Sequence, residues 1–111
     1  MRKTDSLPDC PVAACVQCVG SKWKLLILRN LLARPWRFNE LCRSLDGVSR
    51  KVLTQCLRDM EEDGLILRKD YGQTPPKVEY SLTETGESLR PVIDAMARWG
   101  EEYRRKHGGQ P

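Results

Sequence analysis

The feature that most constrains the fold is a change of hydrophobic period near residue 65. Before it, apolar residues recur with helical spacing in two short segments joined by a tight turn at residues 46–48. These apolar positions are Phe38, Leu41, Cys42 and Leu45 in the first segment and Val52, Leu53, Cys56, Leu57 and Met60 in the second. After it, apolar and polar residues alternate, which is typical of half-buried strands. The pattern predicts a mainly α fold with a small β-hairpin wing: a helix-turn-helix at about 38–63 and a wing at about 65–82.

The flanking segments extend this unit into one domain at about residues 10–106. Pro11 suits the first turn of a helix that ends before Gly20, and Cys10 falls at its N-cap. Residues 22–33 are too apolar on all sides for a surface helix. We therefore expect them to form the central core helix.

The C-terminal part of the chain has a helical pattern and a polar end. Thr83 is placed to cap a long helix at about 84–106, and Pro91 lies inside that helix and should kink it. We expect residues 1–9 and 107–111 to be flexible tails.

The second helix of the pair carries hydrogen-bond donors on the side opposite its apolar stripe. This donor row consists of Arg50, Lys51, Thr54, Gln55 and Arg58. Its first cations lie at the positive end of the helix dipole, while the acids of residues 61–63 crowd the negative end. Each such mismatch costs about 0.3 to 1 kcal/mol at an exposed site. Since folding alone would not favour this placement, the row indicates an anionic ligand such as DNA phosphates and guanine edges.

The net charge of +4 is modest, but the cations are clustered. Residues 21–36 carry four cations and no acid, and residues 49–60 carry three cations against Asp59. Such clustering suits a polyanion better than the total charge implies. The alternative is that these are ordinary solvated helix faces.

Membrane insertion and export are not indicated. Lys22, Lys24 and Arg29 interrupt the longest apolar run, which stays short of the roughly 18 residues that a spanning helix needs. Residues 1–11 lack the apolar core of a signal peptide. We therefore expect a cytoplasmic location, no membrane partner, and cysteines that are thiols.

Double-stranded DNA is the predicted partner, and the N-terminal half of the second helix should read it. The residues predicted to contact base edges are Arg50, Lys51 and Gln55. The residues predicted to contact phosphates, on the helix and at the wing tip, are Ser49, Thr54, Arg58, Gln73 and Lys77. The alternative is a winged helix that holds a protein partner without binding specific DNA.

The C-terminal helix has an apolar side that is longer than a small domain can bury against itself. Its apolar positions are Leu89, Val92, Ile93, Met96, Trp99 and Tyr103, of which Val92, Met96, Trp99 and Tyr103 are the predicted interface residues. We predict that this side packs on its own copy around a two-fold axis, which would place two recognition helices about one DNA turn, roughly 34 to 36 Å, apart. Trp23, Phe38 and Trp99 are expected to be core or interface anchors and not a stacking platform for single strands.

The chain resembles the HxlR-type family of bacterial transcriptional regulators, relatives of MarR. The resemblance is carried, in order, by CPV at residues 10–12, GSKWKLLIL at 20–28, SRKVLTQ at 49–55, PPKVEYSLT at 75–83 and RWG at 98–100. It implies a winged-helix fold and a homodimer built from the first and last helices, with Val12 and Val16 in the interface. It also implies a bacterial DNA-binding regulator, often a repressor, that is associated with the nucleoid when bound.

Cys10 is the candidate sensor. A thiol at a helix N-terminus meets unpaired N–H groups and a positive dipole, which favour the reactive thiolate, whereas the neighbouring Asp9 opposes it. Several members of the resembled family sense quinones, aldehydes or oxidants through a cysteine at this position. The resemblance therefore implies a redox or electrophile switch, and the alternative is a purely structural cysteine. A small-molecule effector between the DNA-binding core and the dimer helices is a further candidate.

The other cysteines fit two descriptions. Cys15, Cys42 and Cys56 lie on or near apolar stripes, where free cysteine behaves as a small buried hydrophobe. Cys10, Cys15 and Cys18 also follow the C-x4-C-x2-C spacing of plant-type iron–sulfur ligation. A helix would point Cys10 and Cys15 apart, so we expect no metal and no other cofactor.

No catalytic residues are predicted. His107 is the sole histidine and lies in the polar C-terminal tail. The chain has no Ser/His/Asp set, no Gly-rich phosphate loop and no paired carboxylates in a pocket-like context. An enzyme is therefore not expected.

Overall fold

Helices dominate the computed structural model, which describes residues 6–108. The elements are α1 (Pro11–Val19), α2 (Lys22–Ala33), β1 (Trp36–Arg37), α3 (Phe38–Ser44), α4 (Arg50–Glu62), β2 (Ile66–Asp70), β3 (Val78–Leu82), α5 (Glu84–Glu87) and α6 (Arg90–Tyr103), which a π-helical turn at Arg104–Gly108 extends. The predicted class, mainly α with a small β wing after a helix-turn-helix, is confirmed.

The core lies where α2 meets α3, α4 and the sheet. Ile27 and Leu28 of α2 are completely buried, as expected for a helix that is apolar on all sides. The other buried apolar residues are Val19, Leu31, Leu41, Leu45, Leu53, Cys56, Leu57, Met60, Leu65, Ile66 and Tyr80. Each large side chain buried in this way contributes about 1.5 to 3 kcal/mol relative to exposure. This core fixes α4 by its inner side and leaves the opposite side to solvent.

Two glycines with positive φ set the ends of α4. Gly47, with φ of 92°, makes the turn that enters the helix. At the other end Gly64 has φ of 79°, its N–H donates to the Glu61 carbonyl, and the Leu65 N–H donates to the Met60 carbonyl. This pair of bonds closes the helix and directs the chain into β2. Any residue with a Cβ would be strained at either glycine.

The sheet has three strands in the order β1-β3-β2, all antiparallel. The predicted wing hairpin is present, with Arg68 opposite Tyr80 and Lys69 opposite Glu79. The sequence predicted a sheet of two strands. This number was wrong, because β1 pairs with the other edge of β3 as a third strand. A two-residue strand is too short to show an alternating pattern. β1 is held by the Trp36 indole N–H, which donates to the Asn30 carbonyl at 2.8 Å.

The prediction of one long C-terminal helix was wrong. Thr83 does cap a helix, since its Oγ1 accepts from the Gly86 N–H at 3.0 Å, but that helix is the single turn α5. Pro91 lies in the first turn of α6, where its missing N–H costs nothing, so it starts a helix and does not kink one. Helical conformation continues to Gly108, beyond the predicted start of the tail.

The predicted tails fall mostly outside the described residues. Residues 1–5 and 109–111 are not described, and residues 6–9 precede α1. Within residues 6–108, no single helix is both long and apolar enough to cross a membrane; α1 and α2 meet that test only as a pair, which is bent by 82°.

Candidate nucleic-acid interface

The first turn of α4 is capped by its own sequence. Ser49 lies at the N-cap, and its Oγ accepts from the Val52 N–H at 3.0 Å. This bond satisfies one of the free N–H groups at the start of the helix. The Ser49 hydroxyl hydrogen is not used in that bond and is free to donate to an anion.

The outer side of α4 carries polar and cationic residues, as the sequence predicted. Lys51, Gln55 and Arg58 are exposed, and Thr54 is half-buried. The prediction that the whole apolar stripe is buried was wrong at one position, because Val52 is 40% exposed. Val52 lies three residues before Gln55, and this spacing places the two side chains next to each other on the helix surface. The outer side therefore offers an apolar contact beside its hydrogen-bond donors.

Asp59 lies in the C-terminal half of α4, and a lysine of α2 offsets its charge. The Lys24 Nζ lies 3.5 Å from Asp59 Oδ2, and these side chains are only 11% and 21% exposed. The Gln55 amide donates to Asp59 Oδ1 at 3.0 Å. Lys24 of the core helix α2 thus offsets the charge of Asp59. Asp59 in turn orients Gln55 on the outer side of α4. Sequence reasoning assigned Lys24 to a basic cluster and missed this role.

Arg50 does not share the outer side with Lys51 and Gln55. Its guanidinium lies over the Phe38 ring, 4.8 Å from the ring centre, and Nη1 donates to Asn39 Oδ1 at 3.2 Å. Arg50 therefore turns toward α3. The predicted donor row is divided between the outer side of α4 and the junction with α3.

Two clefts flank α4 on the wing side. The first has a volume of about 390 Å³ and is lined by Arg37, Phe38, Asn39, Glu40, Arg43, Arg50, Pro76 and Val78. The second has a volume of about 440 Å³ and is lined by Phe38, Thr54, Leu57, Arg58, Glu61, Arg68, Val78 and Tyr80. The predicted phosphate contacts Thr54 and Arg58 therefore border a common cleft with Arg68 of the wing.

Glu40 is the carboxylate of the first cleft. It accepts the Arg37 backbone N–H at 2.9 Å, and Arg34 Nη1 lies 3.3 Å away. The backbone hydrogen bond, reinforced by Arg34, lowers the pKa of Glu40 below its usual value. Glu40 is therefore charged at neutral pH, and its charge is used to hold the start of α3.

The wing presents cations gathered around one aromatic ring. Lys77 Nζ lies 4.2 Å and Lys69 Nζ lies 4.7 Å from the centre of the Tyr71 ring. The Tyr71 hydroxyl donates to Glu79 Oε1 at 2.9 Å, and this hydrogen bond raises the pKa of Tyr71. Gln73 is exposed at the tip, as predicted, and Lys77 is half-buried. The wing cations are thus positioned by Tyr71.

Four basic residues of this side were missed by sequence reasoning: Arg37, Arg43, Arg68 and Lys69. Arg37 precedes α3 and Arg43 lies in its last turn, and this helix was treated only as a packing helix. The strand residues Arg68 and Lys69 could be placed only once the register against β3 was known. Counting the cations on each side of α3 and β2 in the sequence would have indicated these four residues.

A second set of exposed residues, here called the apolar face, lies on α1 and α6. It comprises Val12, Val16, Val92, Met96, Trp99 and Tyr103, with exposed fractions of 72, 58, 38, 47, 68 and 51%. Ile93 of α6 and Leu89 at its N-cap pack against the core. The Trp99 and Tyr103 rings stack with centres 5.1 Å apart, and Tyr103 stacks on His107 at 4.6 Å. Large exposed apolar surfaces of this kind mark interaction sites.

The five cysteines are free thiols in different environments. Cys10 is exposed at the N-cap of α1 and makes no side-chain capping bond. Cys56 is buried, and burial raises the pKa of its thiol. Cys15, Cys18 and Cys42 are half-buried, and the first two line an apolar pocket of about 270 Å³ between α1 and α5. Over residues 6–108, no cluster of three or more His, Cys, Asp or Glu residues could hold a metal ion.

The fold of this chain also occurs in solved structures of regulators. The model of the HxlR-like helix-turn-helix family matches residues 18–108. The chain belongs to that family. The resemblance to HxlR-type regulators is thereby confirmed.

Relatives and solved structures agree with this assignment. The HTH-type transcriptional regulator YdeP of Bacillus subtilis (strain 168) is 45% identical over 101 residues, which span 91% of this chain and 79% of YdeP. The reduced form of the redox regulator HypR is 41% identical with a TM-score of 0.82, over 86% of this chain and 94% of HypR. The reduced form of the transcriptional regulator YodB from B. subtilis is 31% identical with a TM-score of 0.73, over 86% of this chain and 95% of YodB. The family consists of transcriptional regulators and not of enzymes, as expected from the sequence.

Proposed function

We propose that this protein is a homodimeric regulator that binds specific sites on double-stranded DNA in the bacterial cytoplasm. The observation that carries the proposal is the outer side of α4, where Lys51, Gln55 and Arg58 face solvent while the helix is fixed by its buried side. A rigid helix with outward donors is what major-groove recognition needs. The assignment as a repressor rests on the resemblance to the family.

Within this proposal, the side chains have separate tasks. Lys51 and Gln55 contact base edges, and Val52 beside them supplies an apolar contact to a thymine methyl group. Arg50 also contacts the DNA. Phosphate contacts come from Ser49, Thr54 and Arg58 of the helix and from Gln73 and Lys77 of the wing.

The apolar face supports the homodimer. Its six residues are large, exposed and shared between α1 and α6, and a two-fold axis through α6 would pair the face with itself. A second copy would remove Trp99 and Tyr103 from water. The dimer would then present two α4 helices to successive turns of one duplex.

Selection of bound fragments from a random duplex pool, followed by titration of variants, tests the proposal. Lys51→Ala should cost about 1 to 3 kcal/mol on the selected site and relax the preference at one base pair. Lys77→Ala should weaken binding to all sequences with little change in preference. Arg98→Ala removes the same charge from α6 and serves as the control. Equal affinity of the wild-type protein for heparin and for every duplex would refute specific DNA binding and favour a protein-binding winged helix.

We further propose that Cys10 makes this regulator responsive to oxidants or electrophiles. Cys10 is exposed at a helix N-terminus, and its Sγ is not used in capping. HypR, named a redox regulator, is a relative over most of this chain. The apolar pocket that contains Cys15 and Cys18 is a second place where a small effector could enter between α1 and α5.

Oxidation of cysteine variants distinguishes Cys10 from the pocket that contains Cys15 and Cys18 as the site of response. Treatment with a mild oxidant should change operator affinity of the wild-type protein by more than tenfold and leave Cys10→Ser unchanged. The variant Cys18→Ser, which keeps Cys10, is the matched control and should respond like the wild type. An unaltered response of Cys10→Ser would refute the assignment of Cys10 as the sensor.

A further inference from the structure

Three arginines from different parts of the helix-turn-helix converge on the first cleft. Arg37 precedes α3, Arg43 lies in its last turn, and Arg50 begins α4. All three are exposed and line the same space of about 390 Å³, and Pro76 of the wing loop lines it as well. The cleft therefore joins the helix-turn-helix to the wing.

The charge in this cleft is predominantly positive. Among the residues that the structure describes, Arg37, Arg43 and Arg50 form no ion pair with a carboxylate. Glu40 is the one acid in the lining, and its carboxylate is occupied by the Arg37 N–H and by Arg34. Like charges gathered in one cleft repel each other, and a bound anion would offset that repulsion.

Arg50 is held in position for such an anion. The Phe38 ring supports one face of its guanidinium, and the side-chain oxygen Oδ1 of Asn39 accepts from Nη1. A guanidinium has five N–H donors in a fixed plane, so several remain for a ligand after the bond to Asn39. The planar fork matches phosphate oxygens in geometry as well as in charge.

We propose that this cleft is a phosphate-binding site that receives a backbone phosphate of the DNA duplex, with Arg37, Arg43 and Arg50 as its ligands. The proposal rests on the proposed function and adds to it. It assigns α3 a role in DNA binding and makes Arg50 a backbone anchor in place of the base-reading residue expected from the sequence. The supporting geometry is the direction of Arg50, which points to α3 and away from Lys51 and Gln55.

The salt dependence of duplex binding tests the site. The logarithm of the binding constant falls with the logarithm of salt concentration by about 0.9 for each phosphate neutralised. Arg43→Ala and Arg50→Ala should each reduce this slope by up to about 0.9 and lower affinity for every sequence, with the ranking of operator variants unchanged. Arg43→Lys should retain most of the slope, since it keeps the charge. Arg98→Ala on α6 is the control and should leave the slope unchanged.

Several outcomes would overturn the assignment, and they are distinguishable from failure of the proposed function. If the wild-type protein binds duplex and Lys51→Ala weakens it, but Arg43→Ala and Arg50→Ala keep the full slope, the cleft holds no phosphate. A changed base preference in Arg50→Ala would return Arg50 to base reading. Saturable binding of inorganic phosphate, abolished by Arg43→Ala without any effect on duplex binding, would assign the cleft to a free anion. Absence of duplex binding by the wild-type protein would refute the proposed function itself.

Discussion

The outer sides of α4 and α6 are both exposed, yet they differ in chemistry. On α4, Lys51, Gln55 and Arg58 face solvent, whereas α6 exposes Val92, Met96, Trp99 and Tyr103. Both helices have an inner side that packs on the same core. The difference shows that an apolar stripe alone does not tell which side of a helix packs on the core, because α6 is apolar both where it meets the core and where it faces solvent.

Two kinds of partner follow from this difference. Donors and cations keep their hydration in the free protein and exchange it for phosphates and base edges. Exposed aromatic rings gain free energy only by leaving water, which another protein surface allows. One side therefore suits DNA and the other suits a second copy of the chain.

Replacing Trp99 by Asp should have the largest effect. A carboxylate in the middle of the apolar face would be buried without a partner in a dimer, so the dimer should dissociate. Loss of the two-point attachment should lower affinity for an operator with two half-sites by about 100-fold or more. Sedimentation velocity at micromolar concentration and a duplex titration measure both effects.

The matched control for Trp99→Asp is Ala97→Asp, which adds the same charge to the other side of α6. It should remain dimeric and bind like the wild type. A wild-type protein that sediments as a monomer, or a Trp99→Asp variant that stays dimeric, would contradict the role given to the apolar face.

Replacing Lys24 by Met should have an intermediate effect on stability. The variant removes the Lys24 ammonium, whose Nζ lies 3.5 Å from Asp59 Oδ2. Removing one partner of a buried pair costs about 3 to 5 kcal/mol; since Asp59 is 21% exposed, we expect about 1 to 3 kcal/mol in the free energy of unfolding. Urea denaturation measures this loss.

The double variant Lys24→Met with Asp59→Asn tests the cause. It removes both charges and should recover much of the lost stability, because the carboxylate that lost the Lys24 cation is removed as well. If the double variant is as unstable as Lys24→Met alone, packing of the lysine stem and not the ion pair explains the loss. The cationic side of α4 would then be independent of α2.

Replacing Glu40 by Gln should have the smallest effect, and it should depend on pH. Because folding lowers the pKa of Glu40, its carboxylate stabilises the fold at pH values above the pKa of the unfolded chain. This contribution is lost as the pH falls through the lower pKa of the folded state. Glu40→Gln should therefore be less stable than the wild type at pH 7, by less than about 1 kcal/mol given its exposure, and equal to it at pH 2 to 3.

Denaturation curves at the two pH values measure the Glu40 effect. A pH-independent difference between wild type and Glu40→Gln would show that the start of α3 is not held by this charge.

Most elements could be predicted because local sequence determines them. Pro11, Gly20 and Gly64 fix helix ends through backbone geometry, and the apolar spacing of residues 38–63 predicts two helices. The errors occurred where the pattern was too short or ambiguous. β1 spans two residues, and Pro91 is compatible both with a kink and with the start of a helix.

The candidate interface was predicted in part. Lys51, Gln55, Arg58 and Gln73 are exposed on the expected side, because their type and spacing follow from the helix and the wing. The exposure of Val52 was missed, since its place between the buried and exposed sides depends on how α4 rests on its neighbours. The role of Lys24 was missed because it depends on a contact between α2 and α4.

The sequence by itself determined the family, the succession of helix-turn-helix and wing, and the existence of one donor-rich helix side, since each follows from spacing along the chain. Only the tertiary structure decided that Arg50 turns to Phe38 and Asn39, that Arg37 and Arg43 join it in one cleft, and that Lys24 offsets Asp59. Those facts depend on distances between side chains that are far apart in sequence, and local periodicity carries no information about such distances.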